Sequence, residues 1–185
     1  MLTPYLERSL LDLVPDAHVS IAFERNGTPD RRERSTRAIE SALGASGIIR
    51  RANGKPEACN GCDVSASHSG DLTMAVAGRS PVGCDLEVVA TRSTAIWSDM
   101  LGIDRFKLAE LISAETHETL DQAATRVWTA VECLKKAGAG IDAPLVLNSV
   151  APNGWILLTS GDLKIVSGVV KRDGDSEDLA IALLT

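Results

Sequence analysis

Three carboxylates of this chain have the types and spacing to bind one divalent cation. Asp85 and Glu87 lie two residues apart in GCDLE (83–87), and Glu132 follows later in RVWTAVECLKKAGAG (126–140). Side chains two residues apart in a strand share a face at roughly 6 to 7 Å, so these acids repel each other unless water or a cation separates them. Oxygen ligands alone favour magnesium or manganese over zinc. A half-buried strand that presents both acids to water is the simpler interpretation.

The segment around Glu132 predicts a helix with two different faces. Trp128, Glu132 and Lys136 fall on successive turns of one face. The other face is a buried stripe of Val127, Ala130, Val131 and Leu134. One interpretation of the polar face is a surface Glu-Lys pair worth about 0.3 to 0.5 kcal/mol. The other is a third metal ligand and a lysine that contacts phosphate. Phosphate and water would then complete an octahedral magnesium site, which predicts a phosphate ester as the substrate.

A further polar segment has groups that could contact that phosphate. It contains Lys55 and, later, the sequence SHSG (67–70). Gly70 allows a tight turn that exposes backbone N–H groups, and His68 can donate to a phosphate. A hydrogen-bonded turn histidine is the simpler interpretation. A Ser-His-Asp hydrolase is disfavoured, because the adjacent Ser67 and His68 side chains would point to opposite faces of a strand.

The cysteines leave several interpretations open. Cys59 and Cys62 form a CxxC pair, which is compatible with structural zinc or a redox pair. Cys84 falls on the apolar face of the GCDLE strand, and Cys133 follows Glu132 in the predicted helix, so neither completes a four-sulfur site. The sequence favours plain reduced thiols.

Composition limits the class of protein. The 185 residues are 44% hydrophobic and 24% charged, with a net charge of −6, which is typical of one ordinary soluble domain. The acidic balance argues against nucleic-acid and membrane-surface partners, so any anion must be bound by local charges. The first residues lack the pattern of a signal peptide, and no segment approaches a membrane span. A cytoplasmic location is expected.

The apolar pattern predicts an α+β chain, with two similar halves that form a pseudo-dimer. Each half would pack a helix on a mainly antiparallel sheet, with halves at about 1–82 and 83–185 of a single domain, 1–185. The expected helices are 3–14, a helix that Asp30 caps and that Gly44 and Gly47 end, 93–101, 104–113 and 114–137. The expected strands are 17–23, ended by Asn26-Gly27, then 63–67, 72–78, 83–87, 154–160, 163–170 and 178–184.

Four segments together resemble the 4′-phosphopantetheinyl transferases. They are KP (55–56), SHSG (67–70), GCDLE (83–87) and WTAVECLKK (128–136). The family pattern is G-[VI]-D-x-E, followed some tens of residues later by W-[ST]-x-K-E-x-x-x-K. The order and spacing of the segments are similar to those of the longer, surfactin-activating type, whose single chain contains two similar halves. The resemblance spans about residues 55–136.

The resemblance implies transfer of the phosphopantetheine arm of coenzyme A to a serine of an acyl or peptidyl carrier protein. Mg²⁺ would be the cofactor and adenosine 3′,5′-bisphosphate the second product. It implies Asp85, Glu87 and Glu132 as magnesium ligands, and Glu132, Lys136 and His68 as catalytic residues. The coenzyme A contacts would be Lys55, Ser67, His68, Lys136, Arg34 and Arg37. The last two would meet the 3′-phosphate, although a solvated basic helix face explains them equally well.

One position departs from the family pattern. Val131 stands where the pattern has its first lysine, and Lys135 could supply a nearby charge from a different helical face. The substitution and the compact length indicate a domain associated with a polyketide synthase. Two other classes stay open: another Mg²⁺-dependent nucleotide enzyme, such as a pyrophosphohydrolase, and a non-catalytic docking module of a synthase.

Overall fold

The structure, a computed structural model, describes residues 3–25, 30–52, 54–57, 61–79, 81–171 and 177–185. These ranges contain five helices and eight strands. The helices are α1 (Thr3–Leu13), α2 (Arg31–Leu43), α3 (Thr94–Leu101), α4 (Ile103–Thr116) and α5 (Leu120–Lys136). The strands are β1 (Val19–Arg25), β2 (Asp63–Ser69), β3 (Leu72–Gly78), β4 (Gly83–Val88), β5 (Val146–Val150), β6 (Ile156–Ser160), β7 (Leu163–Lys171) and β8 (Asp178–Leu184).

The strands form two antiparallel sheets, so the predicted α+β class is confirmed. The N-terminal sheet has the order β1-β3-β2, and the C-terminal sheet has the order β4-β8-β7-β6-β5. Each sheet draws its strands from one side of Gly83, the first residue of β4. Whether the two parts are similar halves stays a prediction. None of the helices in the described ranges is long and apolar enough to cross a membrane.

Three hydrophobic clusters hold the layers together. Small side chains, including Ala38 of α2 and Ala75 of β3, pack α2 on one face of the N-terminal sheet. The second cluster joins α1 and the N-terminal sheet to one face of the C-terminal sheet, through residues such as Met74 and Ile181. Helices α3, α4 and α5 cover the opposite face, where Ala182 lies. Residues 179–184 of β8 are buried on both faces, which agrees with the continuous apolar run LAIALL.

The two sheets meet where their edge strands, β2 and β4, lie side by side. Ser65 Oγ accepts a hydrogen bond from the Cys84 backbone N–H at 3.2 Å, and Ser67 Oγ accepts one from the Leu86 N–H at 3.4 Å. Hydroxyl groups of β2 therefore satisfy backbone donors of the neighbouring edge, which would otherwise be buried without a partner. Ser65 and Ser67, which alternate along β2, thus hold this strand beside β4, where Asp85 lies.

A buried arginine ties α5 to the C-terminal sheet. The side chain of Arg126 is 1% exposed and forms an ion pair with Glu118 at 2.8 Å. Its Nη2 donates to the carbonyl oxygens of Gly154 at 3.1 Å and Ser167 at 2.7 Å. Burial lowers the pKa of Arg126, and the Glu118 carboxylate opposes this effect. Burial likewise raises the pKa of Glu118, opposed by Arg126, so each charge depends on the other for compensation.

One expectation about the elements was wrong, and one strand was not expected. The helix expected at 114–137 is divided: His117 adopts a left-handed conformation (φ 58°) that ends α4, and Thr119 forms a capping box with Gln122 that begins α5. Strand β5 was not predicted, because this edge strand is mostly exposed and carries no apolar alternation. The Asp30 cap of α2 is confirmed, since its side chain accepts from the Arg32 N–H. The expected Asn26-Gly27 turn lies outside the described residues.

Candidate functional site

Close packing between α5 and β4 creates the site. A Cβ atom at Gly83 would overlap the backbone carbonyl group of Cys133, so glycine at this position lets the helix approach the strand. Lys136, at the end of α5, consequently reaches Asp85 on the same strand. The glycine of GCDLE thus has a packing role that is independent of any chemistry.

Replacing Gly83 by alanine should lower the free energy of unfolding by about 1 to 3 kcal/mol, because a rigid backbone carbonyl must move to admit the methyl group. Urea unfolding measures the change. Gly140→Ala is the matched control, since Gly140 has open space around it and an ordinary backbone conformation. Equal stability of the two variants would contradict the packing argument.

The centre of the site is a lysine bound to a buried aspartate. Lys136 Nζ donates to Asp85 Oδ1 at 2.8 Å, to the Cys84 carbonyl oxygen at 2.8 Å and to the Ala66 carbonyl oxygen at 3.3 Å. Ser67 Oγ donates to the same Asp85 oxygen at 2.6 Å. The side chains of Asp85 and Lys136 are 6% and 29% exposed. Three segments that are distant in sequence therefore meet at one carboxylate.

The Asp85 charge affects the protonation of Lys136. Burial acts to lower the pKa of Lys136, but the charge of Asp85, its hydrogen bond and the nearby Cys84 and Cys133 together leave the pKa raised, so the ammonium stays protonated. The second carboxylate oxygen, Asp85 Oδ2, is buried and accepts no hydrogen bond from the described residues. A buried carboxylate oxygen without a donor is unusual in a native protein, and a water molecule or a cation would satisfy it.

The other two predicted metal ligands are Glu87, which follows Asp85 on β4, and Glu132, which belongs to α5. Burial and then the Asp85 charge raise the pKa of Glu87, and the Glu132 charge adds to this. Glu132 is 27% exposed, and its Oε1 accepts from Lys135 Nζ at 2.7 Å. Across the described ranges, no three His, Cys, Asp or Glu side chains are grouped closely enough to hold a metal as they stand. The magnesium site stays a prediction.

His68 lies among cationic side chains. Its Nδ1 is 2.8 Å from Thr73 Oγ1. Burial lowers the pKa of His68, and the charges of Arg34, Arg31, Lys136 and Arg50 lower it further. The surroundings of His68 are thus strongly positive and suited to an anion.

The sequence analysis assigned only some of the basic residues near His68 to the site. Arg34, which was predicted, is buried and donates to the Gly70 carbonyl oxygen at 3.1 Å. Arg31 and Arg50 were not singled out. Arg50 donates to Ser35 Oγ, Thr36 Oγ1 and the Gly54 carbonyl oxygen, which ties the segment before β2 to α2. The dense basic run RRERSTR was the available signal for Arg31.

Two residues that were predicted to contact coenzyme A, Ser67 and Arg37, have buried polar groups rather than exposed ones. Ser67 is buried, and its hydroxyl is used by Asp85 and by the β4 backbone. Arg37 has two buried guanidinium nitrogens, Nε and Nη2, that make no hydrogen bond to the described residues. Their roles toward coenzyme A stay predictions.

A cleft of about 430 Å³ opens beside the Lys136–Asp85 pair. It lies between β2, the end of α5 and the segment before β2. Four basic side chains, those of Arg51, Lys55, Lys135 and Lys136, line it, and Asp63 is its acidic member. The structure therefore brings Lys55 and Lys136 to one cleft, together with Lys135 and with Arg51, which the sequence analysis did not single out. The charge of the cleft favours a polyanion.

The cysteines do not add a metal or redox centre to the described part of the site. Burial raises the pKa of Cys84 to about 12, and it raises the pKa of Cys133 as well. Cys62 is partly buried and forms no disulfide with the described cysteines. Cys59, the first cysteine of the CxxC pair, lies outside the described residues, so that pairing stays open.

No protein-family model matches the chain, and no curated protein matches it. The residues and their geometry must therefore support any function assigned to this site.

Proposed function

We propose that this chain transfers the 4′-phosphopantetheine arm of coenzyme A to a serine of an acyl or peptidyl carrier protein. One observation supports the proposal best. The motif segments meet at Asp85: Lys136 Nζ lies 2.8 Å from Asp85 Oδ1 although 51 positions separate them, and Ser67 lies 2.6 Å from the same oxygen. A chance resemblance of short motifs does not require them to be neighbours in space.

The basic cleft supports the substrate class. Coenzyme A carries a pyrophosphate and a 3′-phosphate, which need several cations. Lys55 and Lys136 line the cleft, and Arg34 lies close enough to His68 to lower its pKa. The meeting of β2 and β4 between the two sheets agrees with a pseudo-dimer whose halves share one ligand site. We include the pseudo-dimer and a cytoplasmic location in the proposal.

The chemistry of the acidic residues favours magnesium as the cofactor, and the three side chains must move closer together to share one ion, since they are not grouped closely enough as they stand. The buried Asp85 Oδ2 has no donor among the described residues. Burial raises the pKa of Glu87, and the charges of Asp85 and Glu132 raise it further, so a cation bound among these carboxylates would relieve their repulsion. Asp85, Glu87 and Glu132 would hold Mg²⁺, a set of hard oxygen ligands that suits it. When bound, Mg²⁺ supplies charge neutralisation at the pyrophosphate.

The chain's own residues then have defined tasks. Lys55, Arg34 and His68 bind the phosphates of coenzyme A and fix the pyrophosphate beside Asp85. Lys136 orients Asp85 and adds positive charge where negative charge develops on the leaving group. Glu132 accepts the proton of the carrier serine as the serine oxygen attacks the β-phosphorus. The bond from that phosphorus to the bridging oxygen breaks, and adenosine 3′,5′-bisphosphate leaves with the bonding electrons.

Carrier modification tests the proposal directly. The purified chain is incubated with coenzyme A, Mg²⁺ and a panel of acyl and peptidyl carrier proteins, and each carrier is weighed by mass spectrometry. We expect at least one carrier to gain one phosphopantetheine, with no gain when its acceptor serine is alanine or when EDTA is present. Release of phosphates without a carrier would indicate a pyrophosphohydrolase instead. Carrier binding without turnover would indicate a docking module.

A further inference from the structure

Lys135 occupies a bridging position at the end of α5. Its Nζ forms an ion pair with Glu132 Oε1 at 2.7 Å and lies 5.4 Å from the centre of the Trp128 ring. The side chain is 37% exposed and also lines the basic cleft. It is therefore in contact with a predicted magnesium ligand while it faces the space where an anion would enter.

The ammonium group of Lys136 already makes three hydrogen bonds within the protein, so it is less available to a ligand than the family resemblance implies. An ammonium group has three N–H donors, and Lys136 directs three hydrogen bonds, to Asp85, Cys84 and Ala66. Lys135 makes one hydrogen bond to the described residues, its ion pair with Glu132. Of the two neighbouring lysines, Lys135 thus has the donors available for a phosphate.

Val131, one turn before Lys135 on α5, cannot contribute a charge to the cleft. Its side chain is only 3% exposed and packs inside the protein, so that position offers neither charge nor a donor to the cleft. Lys135 stands one turn further along α5 and already lines the cleft. The cleft can therefore gain from Lys135 the positive charge that Val131 does not supply.

We infer that Lys135 is a second phosphate-contacting lysine of this cleft, in addition to Lys55, and that it alternates between Glu132 and a bound pyrophosphate group. Without a ligand, Lys135 neutralises Glu132 beside Trp128. When a pyrophosphate enters, Lys135 turns toward it and releases the Glu132 carboxylate. The inference rests on the proposed function only for the identity of the ligand as coenzyme A; the charge and geometry alone support a pyrophosphate group.

Binding of inorganic pyrophosphate without magnesium tests this inference separately from catalysis. Titration is followed by calorimetry and by tryptophan fluorescence, because Trp128 is partly exposed while Trp97 and Trp155 are buried. We expect Lys135→Gln to weaken binding about tenfold, the loss of one charge-assisted hydrogen bond, and to remove the fluorescence change. Lys135→Arg should retain most of the affinity. Trp128→Phe should remove the fluorescence signal but leave binding measurable by calorimetry.

Lys164→Gln is the control for net charge, since this exposed lysine of β7 does not line the cleft. If Lys135→Gln and Lys164→Gln bind pyrophosphate equally well, or if the wild-type chain does not bind it, the inference is wrong. Binding that depends on Lys135 in a chain that modifies no carrier would uphold the inference and overturn the proposed function. If carriers are modified, Lys135→Gln should raise KM for coenzyme A more than it lowers kcat; a structural defect would instead reduce the folded fraction.

Discussion

Replacing Asp85 by asparagine should reduce carrier modification by at least about 100-fold, the scale expected when one preorganised charge is removed from an active site. The substitution keeps the shape of the side chain and an oxygen for Ser67 and Lys136, but removes the negative charge. It also removes the buried Oδ2 acceptor that no described residue uses. The loss should therefore appear in turnover and in magnesium dependence.

The rate of carrier modification, measured as a function of magnesium concentration, checks this prediction. Asp63→Asn is the matched control, because Asp63 is an exposed aspartate in the same cleft and loses the same charge. We expect that variant to remain within a few-fold of the wild type, while thermal unfolding shows whether each variant is folded. If the folded Asp85→Asn protein modifies carriers at the wild-type rate, Asp85 takes no part in the reaction.

Replacing Arg126 by alanine should lower the free energy of unfolding by about 3 to 5 kcal/mol. The change leaves the Glu118 carboxylate partly buried without its cation and frees the carbonyl oxygens of Gly154 and Ser167. Because a domain of this kind is stable by only about 5 to 15 kcal/mol, a loss of this size removes a large fraction of the total. Urea unfolding followed by circular dichroism measures it.

A double variant separates the buried charge from the lost packing. Arg126→Met retains much of the side-chain volume, and adding Glu118→Gln removes the uncompensated charge. We expect the double variant to be more stable than Arg126→Met alone. If the second substitution lowers stability further by its full individual amount, the two residues do not act as a pair.

The pH dependence of the Arg126 variants has a defined sign. The pKa of Glu118 is raised by burial, with Arg126 opposing, so removing Arg126 raises it further. A raised carboxyl pKa destabilises the fold where the group is ionised, and that cost disappears as it becomes protonated. The deficit of Arg126→Met relative to the wild type should therefore be largest at neutral pH and smaller in mild acid. An unchanged deficit would show that Glu118 is not responsible.

The sequence predicted single elements better than the contacts between them. Alternation identified GCDLE as a strand, and the helical stripe correctly placed Val131 inside the core. The ion pair between Lys136 and Asp85 could not be predicted, because it depends on how closely α5 packs at Gly83. The role of Ser67 was also hidden, since its partner lies 18 positions away on another sheet. Propensity describes single elements, whereas these contacts arise between elements.

The element boundaries show a similar limit. His117 ends α4 in a left-handed conformation that glycine or asparagine usually adopts, so the sequence carried a weak stop signal. Strand β5 lies at the edge of a sheet and is held by β6 on one side, which leaves its burial pattern uninformative. Both cases arise where tertiary context overrides local pattern.

The burial of Cys84 and Cys133 bears on how the protein would behave in a solution of its proposed substrate. Coenzyme A ends in a sulfhydryl group, and its oxidised forms react with thiolate anions by exchange. With a pKa of about 12 for Cys84 and a raised pKa for Cys133, almost none of either residue is ionised at neutral pH. Neither sulfur atom beside Asp85 should therefore form a mixed disulfide with coenzyme A, and the site can tolerate repeated exposure to it without covalent inactivation at these positions.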